Sequence, residues 1–286
     1  MQIHKIPIQV SCGKWQWFYG MSDLHFGSAY CDENHIKKDL AEAKERKARI
    51  LIVGDVFDLL LPKDLKRFKT SDLAKYLQNR DDIINECLKR CFELLKDYAE
   101  FIDVISLGNH EFDLIKYHST DIVLLLIELL NQHLQSSKNN HKIIHGGIIG
   151  YLQYIFSCNS DGGKRNTNIL YYHGKGGEAP MTKGILDVQR MKINYVYDVL
   201  FTGHKHNLWA DTSINVIPSN HGLIQWRPCR SVQCGTYQKA YDIEKNVSSI
   251  SFEEQKAFAP KEIGCAFVKI RWTGHQTSKL EIKAEV

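Results

Sequence analysis

The stretch Ile50-Leu51-Ile52-Val53-Gly54-Asp55-Val56-Phe57-Asp58 decides how the rest of the chain is read. Four apolar residues, three of them β-branched, predict a buried strand, and Gly54 ends it. Asp55 then stands just past the strand's carboxyl end, where open α/β sheets build their ligand sites. Asp58 follows three residues later, within reach of the same site. A lone Gly-Asp after a core strand is only a turn. The chain, however, repeats this construction four more times, and each turn carries metal-binding side chains.

Toward the N-terminus, Trp15-Gln-Trp-Phe-Tyr-Gly-Met21 predicts a first strand that runs into Ser22-Asp23-Leu24-His25. Asp23 and His25 are two apart, so extended backbone would project both to one side. Residues 33–49 are charged and alanine-rich, with Ile36, Leu40 and Ala43 on one face, and predict a surface helix. After Asp58 comes a long helical insert, 59–100. Its front part is basic (Lys63, Lys66, Arg67, Lys69, Lys75, Arg80) and is a candidate substrate contact at the rim of the site. Its second part, 81–99, has apolar residues at a helical period, on which Cys87 and Cys91 read as packing residues.

Residues 101–107 predict a third strand, ending in Gly108-Asn109-His110-Glu111. An apolar helix at 121–135, strands within 143–149 and 151–156, and a polar loop at 157–168 follow. A fourth strand, 169–172, delivers His173-Gly174-Lys175-Gly176-Gly177, whose glycines permit unusual backbone but match no dinucleotide fingerprint. Residues 181–194 predict a helix. A fifth strand, 197–202, enters Gly203-His204-Lys205-His206. From 207 onward the text is β-like at 213–217, 222–225, 231–235, 265–272 and 279–284, with no break in composition. The chain therefore reads as a single domain, 1–286, with a β-rich second half.

At 286 residues, 43% hydrophobic and 24% charged, this is the composition of an ordinary globular protein. The net charge of +4, from 37 basic and 33 acidic residues, is too balanced to indicate a nucleic-acid binder by itself. No signal-peptide core is visible at the N-terminus, and the apolar run at 122–130 is too short to span a bilayer. The eight cysteines form no Cys-x-x-Cys pair. Reduced thiols and a cytoplasmic location are expected, without a membrane partner.

Each of the five clusters offers Asp, His or Asn at a strand end. Imidazole suits zinc, iron or manganese, and carboxylate oxygen suits manganese or magnesium. Two metals about 4 Å apart can clamp both oxygens of a phosphoester displacement and acidify a shared water.

The series Asp-x-His, Gly-Asp-x-x-Asp, Gly-Asn-His-Glu, His-Gly and Gly-His-x-His resembles the calcineurin-like metallophosphoesterase superfamily over residues 21–206. The resemblance implies an α/β fold, a four-layer α/β/β/α sandwich of two mixed β-sheets flanked by helices. It implies that Asp23, His25 and His206 bind one metal and Asn109, His173 and His204 a second, with Asp55 bridging. His110 would be the catalytic histidine near the leaving group, oriented by Asp58. It further implies two divalent metal ions, manganese foremost, with zinc, iron, magnesium and nickel as alternatives. The implied chemistry is in-line attack by a bridging hydroxide.

Of the other histidines, His4, His35, His118, His133, His141, His145 and His275 read as residents of helices, turns or tails. His221 alone is a candidate substrate contact. Asp58 is followed by Leu59-Leu60-Leu61 rather than the Arg-Gly of protein phosphatases, and His110 stands where lipid pyrophosphatases have Arg. The compact chain and the His-Gly-Lys-Gly-Gly loop look similar to small bacteriophage and bacterial metallophosphoesterases. With the basic and aromatic inserts (63–80, Trp226-Arg227, Arg230), these features point to a phosphodiesterase or nuclease on DNA, RNA or nucleotide. A metabolite phosphomonoesterase and a non-catalytic scaffold are the rivals.

Overall fold

The structure, a computed structural model, describes residues 1–59, 70–158, 163–177, 182–218, 222–239, 241, 254, 257, 259–272 and 280–285. The apolar run at 50–53 forms β3 (Arg49–Val53) and is buried throughout. Its continuous hydrophobicity is explained by burial on both faces. Leu51 and Val53 point into one core with Phe18 and Val104, while Ile50 and Ile52 point into another with Tyr19, Met21, Ile102 and Ile105.

Around β3 lie β1 (Gln2–Val10), β2 (Trp15–Met21), α1 (Glu33–Glu45), α2 (Ile83–Leu95), β4 (Ile102–Ser106) and α3 (Asn109–His118). The chain continues through α4 (Ile122–Ser136), β5 (Ile144–His145), β6 (Ile149–Cys158), β7 (Lys164–Tyr172), α5 (Ile185–Asn194) and β8 (Val199–Thr202). It ends with β9 (Trp209–Pro218), β10 (Ile224–Gln233), β11 (Ala266–Trp272) and β12 (Leu280–Glu285). One six-stranded sheet runs β12-β11-β2-β3-β4-β5 and the other β1-β6-β7-β8-β10-β9. Both are mixed: β2, β3, β4 and β5 are parallel beside antiparallel β11, and β8 is parallel to β7 and β10 beside antiparallel β9.

The sheets pack face to face through Phe18, Leu51 and Val104 on one side and Tyr154, Phe156, Tyr171 and Phe201 on the other. Helices α1, α2 and α4 cover the outer face of the first sheet. The second is covered by α5, whose Val188 and Met191 meet Leu170, Leu200 and Cys229. This is the expected four-layer α/β/β/α sandwich. No helix among the described residues is long and apolar enough to cross a membrane.

Four local features depart from or add to the sequence reading. The N-terminal segment forms β1, which pairs with β6 alone at a sheet edge and alternates between exposed and half-buried positions. Helix α3 begins on the motif residues themselves. The polar segment at 157–168 is not a loop throughout, because β7 starts at Lys164 and pairs back to Ser157. Its first three residues extend past the core with exposed side chains, which gives a strand the composition of a loop. Finally, 222–225 and 231–235 belong to one strand, β10, that passes through Pro228. There the strand is paired with β9 but has not yet reached β8, so a missing N–H is tolerated.

Phe201 fills the space that a Cβ at Gly20 would need, and Cys234 Sγ borders the same space. Phe201→Ala is expected to cost about 3 to 5 kcal/mol, read as a lowered midpoint of urea unfolding.

Candidate metal centre

The five clusters leave β2, β3, β4, β7 and β8 at their carboxyl ends. The first three strands are neighbours in one sheet and the last two are neighbours in the other. Hydrogen bonds then stitch the turns together across the sandwich. Asp23 N–H donates to the Gly54 carbonyl (3.1 Å) and His25 N–H to the Asp55 carbonyl (3.1 Å). From the other sheet, His204 N–H donates to Asp23 Oδ2 (2.9 Å), and His173 Nδ1–H to the Val53 carbonyl (2.8 Å). Gly54 and Gly108 permit this closeness: a Cβ on Gly54 (φ +76°) would lie 2.6 Å from the His173 ring, and one on Gly108 would strike Asp55 Oδ1.

The side chains do not converge by extended alternation, which corrects the expectation for Asp23 and His25. Asp23, His25, Asp55, His204 and His206 all have left-handed backbone, with φ of 55°, 53°, 48°, 71° and 53°. Such conformations cost a non-glycine residue about 1 kcal/mol or more and persist where the surroundings impose them, commonly at functional sites.

Asp23, His25 and His206 form one group. Asp23 Oδ1 is 3.0 Å from His206 Nε2 and 3.8 Å from His25 Nε2, and the two imidazole nitrogens are 3.4 Å apart. Ligand atoms about 2.1 Å from a shared cation lie about 3.0 to 3.4 Å from one another, so this donor set fits a divalent metal. Asp55, His173 and His204 form the second group. His173 donates from Nδ1 to the Val53 carbonyl, so its lone pair is on Nε2, 3.0 Å from Asp55 Oδ2 and 3.9 Å from Asp23 Oδ1. Despite this closeness, that buried Nε2 makes no hydrogen bond of good geometry, as expected of an atom aimed at a cation. His204 donates from Nε2 to the Gly176 carbonyl (2.7 Å), which leaves Nδ1 available to ligate.

Asp58 stands between two imidazoles, 3.0 Å from His110 Nδ1 and 3.5 Å from His25 Nδ1. His110 Nε2 faces Asp55 Oδ2 at 3.9 Å, and its side chain remains 32% exposed at the mouth of the cluster. Burial disfavours the charged form of every group here, yet the mutual attraction prevails. Asp23, Asp55 and Asp58 are held below the usual carboxylate range by the facing histidines. His110 and His173 are each pushed up to about 9 against their burial, His110 chiefly by Asp58 and Asp55 and His173 by Asp55 and Asp23. The carboxylates draw positive charge into the site, and a divalent cation meets the same demand. His204 goes the other way: burial and the neighbouring His173 lower it, which keeps its imidazole neutral.

Asn109 is exposed at the first position of α3, and its side chain makes no hydrogen bond among the described residues. Three supporting residues have no role in the sequence reading. Ser22 donates to Asp23 Oδ2 (2.6 Å). Buried Glu111 accepts from the backbone N–H groups of Asp55 (3.1 Å), Phe57 (2.8 Å) and Gly108 (2.8 Å), and so locks the second cluster to the third. Buried Lys205 ties down the glycine loop after His173, and the loop therefore turns its carbonyls inward instead of offering N–H groups to a phosphate.

Trp226 and Arg227 lie at the far end of β10, seven and six positions before Gln233, about 20 Å or more along the strand from the cluster end. Arg227 is paired there with Asp198 (2.9 Å). His4 and His145 are in strands, not turns. Lys63, Lys66, Arg67, Lys69, His221 and His275 lie outside the described residues.

No protein-family model matches the chain, and no curated protein matches it. Among solved structures it is similar to a predicted phosphoesterase from Streptococcus pneumoniae, with 11% identity, TM-score 0.34, and 95% of this chain and 99% of that one covered. It is similar also to a metallophosphoesterase from Sphaerobacter thermophilus, with 14% identity, TM-score 0.32 and 79% of each chain covered. A third is Vps29 complexed with zinc from Entamoeba histolytica, with 10% identity, TM-score 0.31, and 94% and 98% covered.

Two outcomes are expected. In metal-free protein the imidazole of His110 should titrate near pH 9, and Asp58→Asn should move it back toward the ordinary value of about 6.5, followed by NMR. Because the folded-state value is raised, the pair's contribution to stability is complete below about pH 6.5 and is lost as pH rises through about 9. Glu111→Ala strands three backbone N–H groups and should cost about 3 kcal/mol or more in chemical denaturation.

Proposed function

We propose that the chain is a metal-dependent phosphoester hydrolase with a dinuclear centre bridged by Asp55, acting as a phosphodiesterase or nuclease on nucleic acid or nucleotides. The observation that carries this reading is the pairing of two adjacent three-residue groups with an Asp58–His110 pair that borders the first through His25 and leaves His110 partly exposed. A purely structural metal site closes its coordination shell and has no use for such a dyad. The mixed oxygen and imidazole donor set favours manganese, with zinc next.

Bound there, two divalent cations would supply a hydroxide nucleophile at neutral pH and neutralise charge on the phosphoryl oxygens. The protein's own contribution is positional. Ser22 and the His204 N–H occupy Asp23 Oδ2, so Oδ1 is the oxygen left for metal. The His110 N–H occupies Asp55 Oδ1 and leaves Oδ2 facing His173. His110 donates Nδ1–H to Asp58, which fixes the ring and leaves Nε2–H on the cluster side. With its affinity for protons raised, Nε2 can give a proton to the leaving oxygen as the phosphoester bond breaks.

The intact Asn109-His110 pair supports a diester substrate. Arg227 and Trp226 add no support, since they lie at the other end of the sheet. No disulfide joins any of the eight cysteines, which suits a reducing, cytoplasmic setting.

The test is manganese-dependent hydrolysis of bis-p-nitrophenyl phosphate beside p-nitrophenyl phosphate. Diester turnover should fall about 100-fold or more in His110→Ala and vanish in Asp55→Asn. Near-normal turnover in either variant sinks the mechanism, and monoester preference transfers the reading to a metabolite phosphatase. A wild-type protein that binds no metal would revive the scaffold.

A further inference from the structure

Lys205 sits between two proposed ligands, in Gly203-His204-Lys205-His206, and is 5% exposed. A lysine is almost never buried this far without full compensation. Its ammonium donates to three consecutive backbone carbonyls, those of Lys175 (2.8 Å), Gly176 (2.9 Å) and Gly177 (2.9 Å). The carboxylate of Asp187, at the start of α5, lies 3.3 Å away as its counter-charge. All three donor positions of the ammonium are thus spent on one loop, and none is left for substrate.

The loop so gathered is rich in glycine. Gly174 and Gly176 have φ of 116° and 75°, conformations with many alternatives in a free chain. The Gly176 carbonyl nevertheless serves two donors at once, Lys205 Nζ and His204 Nε2 (2.7 Å). A histidine must be neutral, with its proton on the nitrogen away from the cation, in order to ligate. The Gly176 carbonyl is the group that sets this tautomer for His204.

We propose that Lys205 is a positioning residue for the second metal. It acts as an internal cation that fixes the 175–177 carbonyls, so that Gly176 holds the His204 proton on Nε2 and frees Nδ1. The proposal rests on the dinuclear reading above and adds the device that orients the half-buried member of the second group, His204. Lys205 touches neither substrate nor metal.

The experiment uses the full chain, with Mn²⁺ binding followed by calorimetry and the His204 ring nitrogens followed by long-range ¹H–¹⁵N NMR in metal-free protein. In wild type the His204 proton should reside on Nε2 and two Mn²⁺ ions should bind. Lys205→Met should leave one site intact, weaken the other about 10- to 100-fold, and give His204 a mixture of tautomers. Equal affinity at both sites with an unchanged tautomer overturns the proposal. Should Lys205→Met fail to fold, Asp187→Asn, which removes only the counter-charge, should shift the same two readouts in the same direction, and no shift would refute it. A wild type that binds no Mn²⁺ defeats the dinuclear reading, whereas the metal-free tautomer still decides the role of Lys205.

Discussion

The constraint on which the site depends is the burial of two carboxylates, Asp23 and Asp55, with the half-buried Asp58 beside them, among shared histidines at the seam of two sheets. Uncompensated, such an arrangement would not persist, since each anion loses hydration and repels the next. Every nearby feature answers that problem. Backbone N–H groups and the Ser22 hydroxyl take the inward oxygens. Imidazoles take the outward ones. The remaining demand for positive charge is local and strong, as the proposed metal centre would require.

The two-sheet sandwich supplies the seam. Parallel strands deliver all their turns to one end, so β2, β3 and β4 bring three clusters to one place without further instruction, and β7 and β8 bring two more from the opposite sheet. The inter-sheet core between Phe18, Tyr154 and Phe201 sets how closely these ends approach. Close contacts between turns, such as Gly54 against His173, therefore rest on the packing of large apolar side chains well below the site.

Much of this was legible as text. Apolar runs ending in glycine identified the central strands, and the repeated placement of Asp, His and Asn after them identified the ligand candidates. What escaped did so for physical reasons. Strand β1 lies on an edge and buries little, so it lacks the apolar signal of β3. The front of β7 is polar because it overhangs the core. The left-handed backbone at Asp23, His25 and Asp55 has no signature in residues that normally avoid it. Glu111 and Lys205 were visible only as letters, because their partners are backbone N–H and carbonyl groups, and a sequence records side chains rather than the peptide atoms they will meet.

The bond between Asp23 and His206 joins residues 183 positions apart. A cation held by that pair would close nearly two thirds of the chain into a ring. In the unfolded polymer such long-range contacts are the costliest to assemble and the last to be rewarded. Metal supply would thus enter the life of the protein before any substrate does. A chain synthesised in metal-poor surroundings would reach its final form with this ring unsecured, breathing at the seam and open to proteases, and its cellular abundance would follow the free metal level.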